Sequence, residues 1–379
     1  MGTPLFVPKE ADPKETRVAL VPDVASKLVK CGFEVFVAQG AGERAGFDDE
    51  SYSEAGGVLL PPAEGWQKAG IVLSIGYPAL ADIAQIPVGG TLIGFLNPKG
   101  HEKEAALFCD RKLTSFAIEL IPRISRAQSM DALSSQATVA GYKAALLAAH
   151  LSPRFFPMLT TAAGTIRPAK ILVIGAGVAG LTAIATARRL GGVVEAYDVR
   201  KTVKEQVESL GARFVENPLN AEAAGGYARE LSEEEKMRER ELVARHVSRA
   251  DVIITTAHVP SHKAPLIISE EMVKNMRPGS VIIDLAAESG GNCQMTVPGE
   301  NVVRHGITIA GPLNLPATLP VHASEMFAKN IFHFLMLLTK EGKSLDYDFS
   351  DPVISGAVLT HAGEIKNELA RVAVYGGVK

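Results

Sequence analysis

Residues Lys170–Arg200 read KILVIGAGVAGLTAIATARRLGGVVEAYDVR, and the reading of this stretch decides the fold. Ile171-Leu172-Val173-Ile174 is an apolar run too short for a helix, and it breaks at Gly175-Ala176-Gly177-Val178-Ala179-Gly180. Helical spacing follows up to Gly191-Gly192, and a second apolar run, Val193 to Tyr197, ends in Asp198. The order is strand, glycine turn, helix, strand, acid.

Each part suits a dinucleotide. Gly175 allows a tight turn, Gly177 lets the backbone approach a pyrophosphate, and Gly180 lets the helix pack close to the strand. The pyrophosphate is expected at the helix N-terminus, where unpaired N–H groups and the helix dipole favour an anion. Asp198, eighteen positions after Gly180, is placed to accept hydrogen bonds from the adenosine ribose. Its charge repels a 2′-phosphate, so the expected cofactor is NAD(H) rather than NADP(H). Ala176, Val178 and Ala179 in the turn, and Val199 and Arg200 after the acid, complete the expected cofactor-binding set. Arg200 is the discordant member, since a nearby arginine can serve a 2′-phosphate. Beside Asp198 it is expected to point to solvent or to a cofactor phosphate. A bare GxGxxG is weak evidence, but here strand, helix and terminal acid accompany it.

The bulk numbers agree with a soluble globular protein. A chain of 379 residues exceeds one ordinary core, so two domains are expected. Hydrophobic content of 47% with 21% charged residues belongs to a globular protein. The net charge of −3 argues against a nucleic-acid surface. Cys31, Cys109 and Cys293 lie far apart without metal-type spacing, so a reduced, intracellular protein without a metal is expected. The start, MGTPLFVPKE, lacks a signal-peptide pattern, and the apolar run Ile331–Leu338 falls far short of the roughly 20 residues that span a bilayer.

Before the glycine turn, short apolar runs at Leu5–Val7, Val24–Val29, Phe33–Val37, Ile71–Ile75 and Thr91–Phe95 alternate with helical segments. They suggest a parallel sheet with helices on its faces and no glycine fingerprint of its own. A strand within Leu113–Ile121 ends at Pro122, and the polar segment Arg123–Gln136, RISRAQSMDALSSQ, is too poor in apolar residues to be core along its whole length. A long helix is expected from about Ala137 to His150. Beyond Asp198 come a helix at Val203–Leu210, a strand at Arg213–Val215 and a charged helix at Leu231–Arg249, whose buried stripe is Leu242, Val243 and Val247. Strands at Val252–Thr255, Val281–Asp284 and Ile307–Ala310 follow, and a helix at Ala323–Leu338 returns to the first domain. The expected fold is α/β, with two Rossmann-like domains built on parallel sheets. A discontinuous first domain, 1–133 and 315–379, receives the NAD(H)-binding domain, 134–314, as an insertion.

Val7-Pro8-Lys9-Glu10, Glu15-Thr16-Arg17-Val18-Ala19-Leu20-Val21-Pro22, Gly40-Ala41-Gly42 and the glycine turn resemble a family that holds the alanine dehydrogenases and the NAD(H)-binding subunit of proton-translocating transhydrogenase. The resemblance covers nearly the whole chain. An alanine dehydrogenase reduces an imine formed at a keto acid, so it needs a carboxylate anchor, a lysine and a histidine for proton work. Arg17 matches the anchor. The segments where that branch keeps its lysine and its histidine read Leu73-Ser74-Ile75-Gly76-Tyr77-Pro78 and Phe95-Leu96-Asn97, without either residue. Hydride exchange between NADH and NADP⁺ needs neither, because no proton has to be placed. It rests on apposition of two rings and exclusion of water.

Arg123–Gln136 resembles the transhydrogenase loop that borders the nicotinamide, with Arg123, Gln128 and Asp131 matching its Arg, Gln and Asp and Ser134 a serine nearby. The resemblance implies that these four contact the carboxamide or fix the loop, and that Gln128 reaches toward the partner's nucleotide. Read alone, the segment is better taken as a polar linker with a helix N-cap, and the wider resemblance reverses that reading. Tyr227 matches the tyrosine of a mobile loop closing over NAD(H). The resemblance further implies a homodimer, NADP(H) on the NADP(H)-binding domain of a beta subunit, and a separate membrane-spanning subunit. The complex is then cytoplasmic, peripheral at the inner face of the plasma membrane. Two other readings stay open: an amino-acid dehydrogenase of the alanine type, and a non-catalytic NAD(H)-responsive binding protein. His101 is an alternative proton carrier or a surface histidine, and His258 and His262 flank Pro260 without metal-type geometry.

Overall fold

The computed structural model describes residues 2–216, 232–257, 263–340 and 344–375. The chain divides into two compact units: a discontinuous one, 1–136 with 316–379, and an inserted one, 137–315.

The discontinuous unit opens with strand β1 (Thr3–Val7), helix α1 (Pro22–Lys30), β2 (Phe33–Ala38), β3 (Val58–Leu60), β4 (Ile71–Leu73), β5 (Thr91–Gly94) and β6 (Thr114–Ala117). The run Val24–Val29, expected as a strand, is the body of α1. Pro22 sits in the first turn, Asp23 follows it, and Lys27 and Lys30 close the last turn, which suits the helix dipole. Val24, Ala25 and Leu28 are buried on one face, a helical rather than an alternating spacing. The expected strand within Leu113–Ile121 is shorter, β6 ending at Ala117 and giving way to a 3₁₀ turn, Ile118–Leu120.

Helix α2 (Ala132–Leu151) begins five residues before the expected start, inside the polar segment. The inserted unit continues with β7 (Lys170–Ile174), helix α3 (Val178–Arg189), β8 (Val193–Tyr197), β9 (Arg213–Phe214), helix α4 (Glu233–Val247), β10 (Val252–Thr255), β11 (Val281–Asp284), β12 (Asn301–Arg304) and β13 (Ile307–Ala310). Its sheet runs β9-β8-β7-β10-β11-β13-β12, parallel except for the edge pair β12–β13. Both faces are covered because side chains alternate along each strand. Ile171 and Val173 point into a cluster with Ala144, Ala148, Ala183 and Ile184, while Leu172 and Ile174 join Val243, Val247 and Ile253 on the other face.

The chain then returns through helix α5 (Pro320–Leu337) to strands β14 (Val358–His361) and β15 (Glu364–Ile365). These extend the first sheet to the order β15-β14-β6-β5-β4-β1-β2-β3, with the two C-terminal strands antiparallel. That fold is two α/β units of Rossmann type, mixed only at sheet edges. In each sheet the strand order turns back beside the first strand, at β1/β4 and at β7/β10, and such switch points are where open α/β sheets bind ligands. No helix among the described residues is long and apolar enough to cross a membrane.

Candidate functional site

The glycine turn leaves β7 at the switch point of the inserted unit. Gly175 has φ +95°, and a Cβ there would stand 2.6 Å from the Thr256 hydroxyl. A Cβ on Gly180 would stand 1.9 Å from the Gly175 carbonyl oxygen, so α3 reaches the strand only with glycine at this position. A Cβ on Gly177 would meet nothing within 4 Å. The chain itself therefore sets no steric demand for glycine at 177, whereas a pyrophosphate brought against the backbone would. No side chain caps the first turn of α3, and Val178, at its start, is exposed. This is the geometry an anion needs at a helix N-terminus. The turn fits a dinucleotide.

Asp198 directly follows β8 and is buried. Its Oδ2 accepts from the Ala176 N–H at 2.7 Å and its Oδ1 from the Arg200 N–H at 2.8 Å. The Arg200 side chain is also on it, with Nε 3.0 Å from Oδ1 and Nη2 3.0 Å from Oδ2. Arg200 is thus forked onto the carboxylate two residues before it, while its side chain stays partly exposed. That hydrogen bond raises the Arg200 pKa further, against the opposing effect of burial. Val199 between them is exposed.

Three residues behind the turn have no motif to announce them. The Thr256 hydroxyl donates to the Gly175 carbonyl at 2.9 Å. Asn292, fully buried, accepts from the Ala257 N–H at 3.1 Å and donates to the Ala257 carbonyl at 2.8 Å. Asp284, also fully buried, accepts from the Asn292 and Cys293 N–H groups and the Thr296 hydroxyl on Oδ2, and from the Thr255 hydroxyl and Ala286 N–H on Oδ1. Truncating it would leave buried donors unpaired at about 1–3 kcal/mol each. The one sequence signal for this hub is an acid ending an otherwise apolar strand, a pattern that Asp198 repeats directly after β8.

In the discontinuous unit the Arg123–Gln136 segment forms a 3₁₀ turn, Ser125–Met130, ahead of α2. Arg123 and Gln128 are exposed, and among the described residues their side chains make no hydrogen bond. Asp131 caps α2: Oδ1 accepts from the Ser134 N–H at 2.8 Å and Oδ2 from the Ser134 hydroxyl at 2.6 Å. Arg126 forks onto Asp351, with Nη1 2.9 Å from Oδ2, and the buried Asn330 of α5 donates to the Ser129 carbonyl at 2.8 Å. The segment is thus fastened at three points while two polar side chains project from it. Tyr227, His258 and His262 lie outside the described residues. Among the described residues no group of three or more His, Cys, Asp or Glu could hold a metal ion.

Family models of the alanine dehydrogenase/PNT N-terminal and C-terminal domains match residues 6–140 and 144–368. The first portion of the divided NAD(P) transhydrogenase alpha subunit of Rhodospirillum rubrum is 46% identical over 372 residues, covering 95% of this chain and 97% of that protein. The chain belongs to the transhydrogenase branch of the alanine dehydrogenase/PNT family. A solved transhydrogenase structure from Sinorhizobium meliloti superposes with a TM-score of 0.87 at 41% identity, over 96% of this chain and 99% of that one. Alanine dehydrogenase 2 of Staphylococcus aureus stands further off, 27% identical over 375 residues, 96% of this chain and 94% of that protein. Membership in this branch makes the chain an NAD(H)-binding subunit of an oxidoreductase.

Arg17, the match to the other branch's carboxylate anchor, and the polar groups around Tyr77 and Leu96 are paired within the chain. Arg17, buried, places Nε 2.7 Å and Nη2 2.6 Å from the two Glu15 carboxylate oxygens and Nη1 2.8 Å from Gln136. Tyr77 donates to the Leu96 carbonyl at 2.9 Å and stacks on His101 at 4.0 Å between ring centroids, and the His101 side chain stays 40% exposed, with Nδ1 3.7 Å from Glu104. Glu119 accepts from the Leu96 N–H at 3.3 Å, and Glu10 from the Ile75 N–H at 2.6 Å. Burial pushes both acids up to about 7, the backbone hydrogen bonds opposing it.

Proposed function

We propose that this chain holds NAD(H) at the glycine turn of its inserted unit and serves direct hydride exchange with NADP(H) carried by the NADP(H)-binding domain of a beta subunit. A separate membrane-spanning subunit couples the exchange to proton translocation, and the chain works as a homodimer docked on the cytoplasmic side. The observation that carries this reading is what stands in place of the other branch's lysine and histidine. Tyr77 and Asn97 stand in the segments where the other branch keeps proton carriers.

The bound cofactor supplies the hydride. Everything else falls to the chain's own residues, and it is binding and orientation rather than proton chemistry. Gly175, Ala176, Gly177, Val178, Ala179 and Gly180 take the pyrophosphate on backbone N–H groups, and Asp198 with Val199 and Arg200 takes the adenosine ribose. Arg123 and Gln128 meet the nicotinamide end, Asp131 and Ser134 stiffen the loop that carries them, and Tyr227 closes over the cofactor to exclude water. For the homodimer, the exposed two-stranded hairpin Leu159–Thr161 with Gly164–Ile166, beside exposed Phe155 and Met158, is a surface that a second copy would bury. Such a hairpin is marginal alone.

Incubating the isolated chain with NAD⁺ and L-alanine tests the reading against its rival. No NADH should form, while NADH added directly still binds. Steady production of NADH from alanine would contradict the proposal.

A further inference from the structure

An ionised carboxylate offers about four acceptor positions, and on Asp198 four donors from within the chain take them: the Ala176 N–H, the Arg200 N–H, and Nε and Nη2 of Arg200. The acid side chain is 6% exposed and the Arg200 side chain 39%. Two things follow. The charge of Asp198 is offset by Arg200 at 3.0 Å, so a bare carboxylate repelling a 2′-phosphate does not describe what that phosphate would meet. And the two donors able to yield to a ribose without disturbing the backbone are both on the Arg200 side chain. A planar guanidinium fork fits a carboxylate or a phosphate equally well. What commits this fork is the acid two residues before it.

We propose that Asp198 sets the preference for NAD(H) over NADP(H) at this site by holding Arg200 as well as by its charge: the acid withholds the Arg200 fork from a 2′-phosphate, and neutralising the acid turns that fork into a phosphate ligand. The proposal rests on the reading of this unit as an NAD(H) site and adds Arg200 as a specificity-determining residue.

Equilibrium titration of nicotinamide fluorescence with NADH and with NADPH, on the full chain and on Asp198→Asn, Arg200→Ala and the double variant, tests it. Asparagine is isosteric and keeps an acceptor for the Ala176 N–H, so the turn still closes, and Arg200→Ala opens the pair from the other side. Asp198→Asn should bind NADPH at least tenfold more tightly than the wild type and NADH at least tenfold less. Arg200→Ala leaves the acid bare and should weaken NADPH binding at least threefold. The double variant should lose the NADPH gain. A double variant that keeps the gain, or Arg200→Ala with unchanged or tighter NADPH binding, would overturn the proposal. A wild-type chain that binds no NADH is a different failure, seen before any variant is made, and it would sink the cofactor reading and the pair's role together.

Discussion

The two switch points of this chain are finished in opposite ways. In the inserted unit β7 ends in a turn that presents bare backbone, with open space at Gly177 and an uncapped α3 N-terminus. In the discontinuous unit the residue that follows β1 at the corresponding place is Glu10, whose carboxylate reaches across to the Ile75 and Gly76 N–H groups beyond β4. The cavity left there, lined by Pro8, Lys9, Glu10, Trp66, Ser74 and Asp82, holds about 10 Å³, no more than a single water. Two sheets of the same topology thus share one ligand position. One keeps it open with glycine, and the other fills it with an acid of its own. The donor supply follows the same division: Asp198 takes four donors, whereas Glu10 takes two backbone N–H groups in a desolvated place and is pushed up to about 7.

The contrast between the two is most easily broken at Gly180. Valine there would drive a Cβ to within 1.9 Å of the Gly175 carbonyl, backbone that cannot move aside without opening the turn. Gly180→Val should abolish measurable NADH binding in a fluorescence titration. Binding within threefold of the wild type would mean that the turn is not where the cofactor sits.

A smaller effect sharpens the other switch point. Glu10 and Glu119 carry pKa values of about 7 in the fold against 4.5 in the unfolded chain, so the folded state binds more protons between those values. Their contribution to the unfolding free energy therefore falls as pH rises from 4.5 to about 7 and flattens above it, by roughly 3 kcal/mol per acid at most. Urea unfolding of wild type and Glu10→Gln at about pH 5 and about pH 8, on either side of the folded value, measures this. The variant should gain on the wild type at the higher pH and not at the lower. Equal differences at both would show that Glu10 is an ordinary ionised acid.

What sequence makes legible here is whatever depends on neighbours along the chain. Strand, turn, helix and acid in 170–200 stand out because each is local, and the buried stripe of α4 at Val243 and Val247 follows from spacing alone. Val24–Val29 misleads if it is read as one apolar run, because Ser26 and Lys27 interrupt it and leave Val24, Ala25 and Leu28 at helical spacing, with Pro22 and Asp23 ahead and Lys30 behind as further helix signals. Contacts across long loops leave no trace: Glu10 meets Ile75 from 65 positions away, and Arg126 meets Asp351 from 225. The Asp198–Arg200 pair is the instructive middle case, since the two residues are local but their fork geometry is not implied by their spacing. The match of Arg17 to a carboxylate anchor is visible in sequence, and its commitment to Glu15 appears only with the side chains in place.

The most direct test of the account is a single-turnover experiment: the NADH-loaded chain is mixed rapidly with its NADP(H)-binding partner subunit carrying an NADP⁺ analogue, for the wild type and for Gln128→Ala. The wild type should reduce the analogue in a fast burst, and Gln128→Ala should do so roughly tenfold or more slowly while its NADH affinity stays within about threefold. No burst with both nucleotides bound would contradict direct hydride exchange. A Gln128→Ala burst at the wild-type rate would contradict the assignment of the Arg123–Ser134 loop.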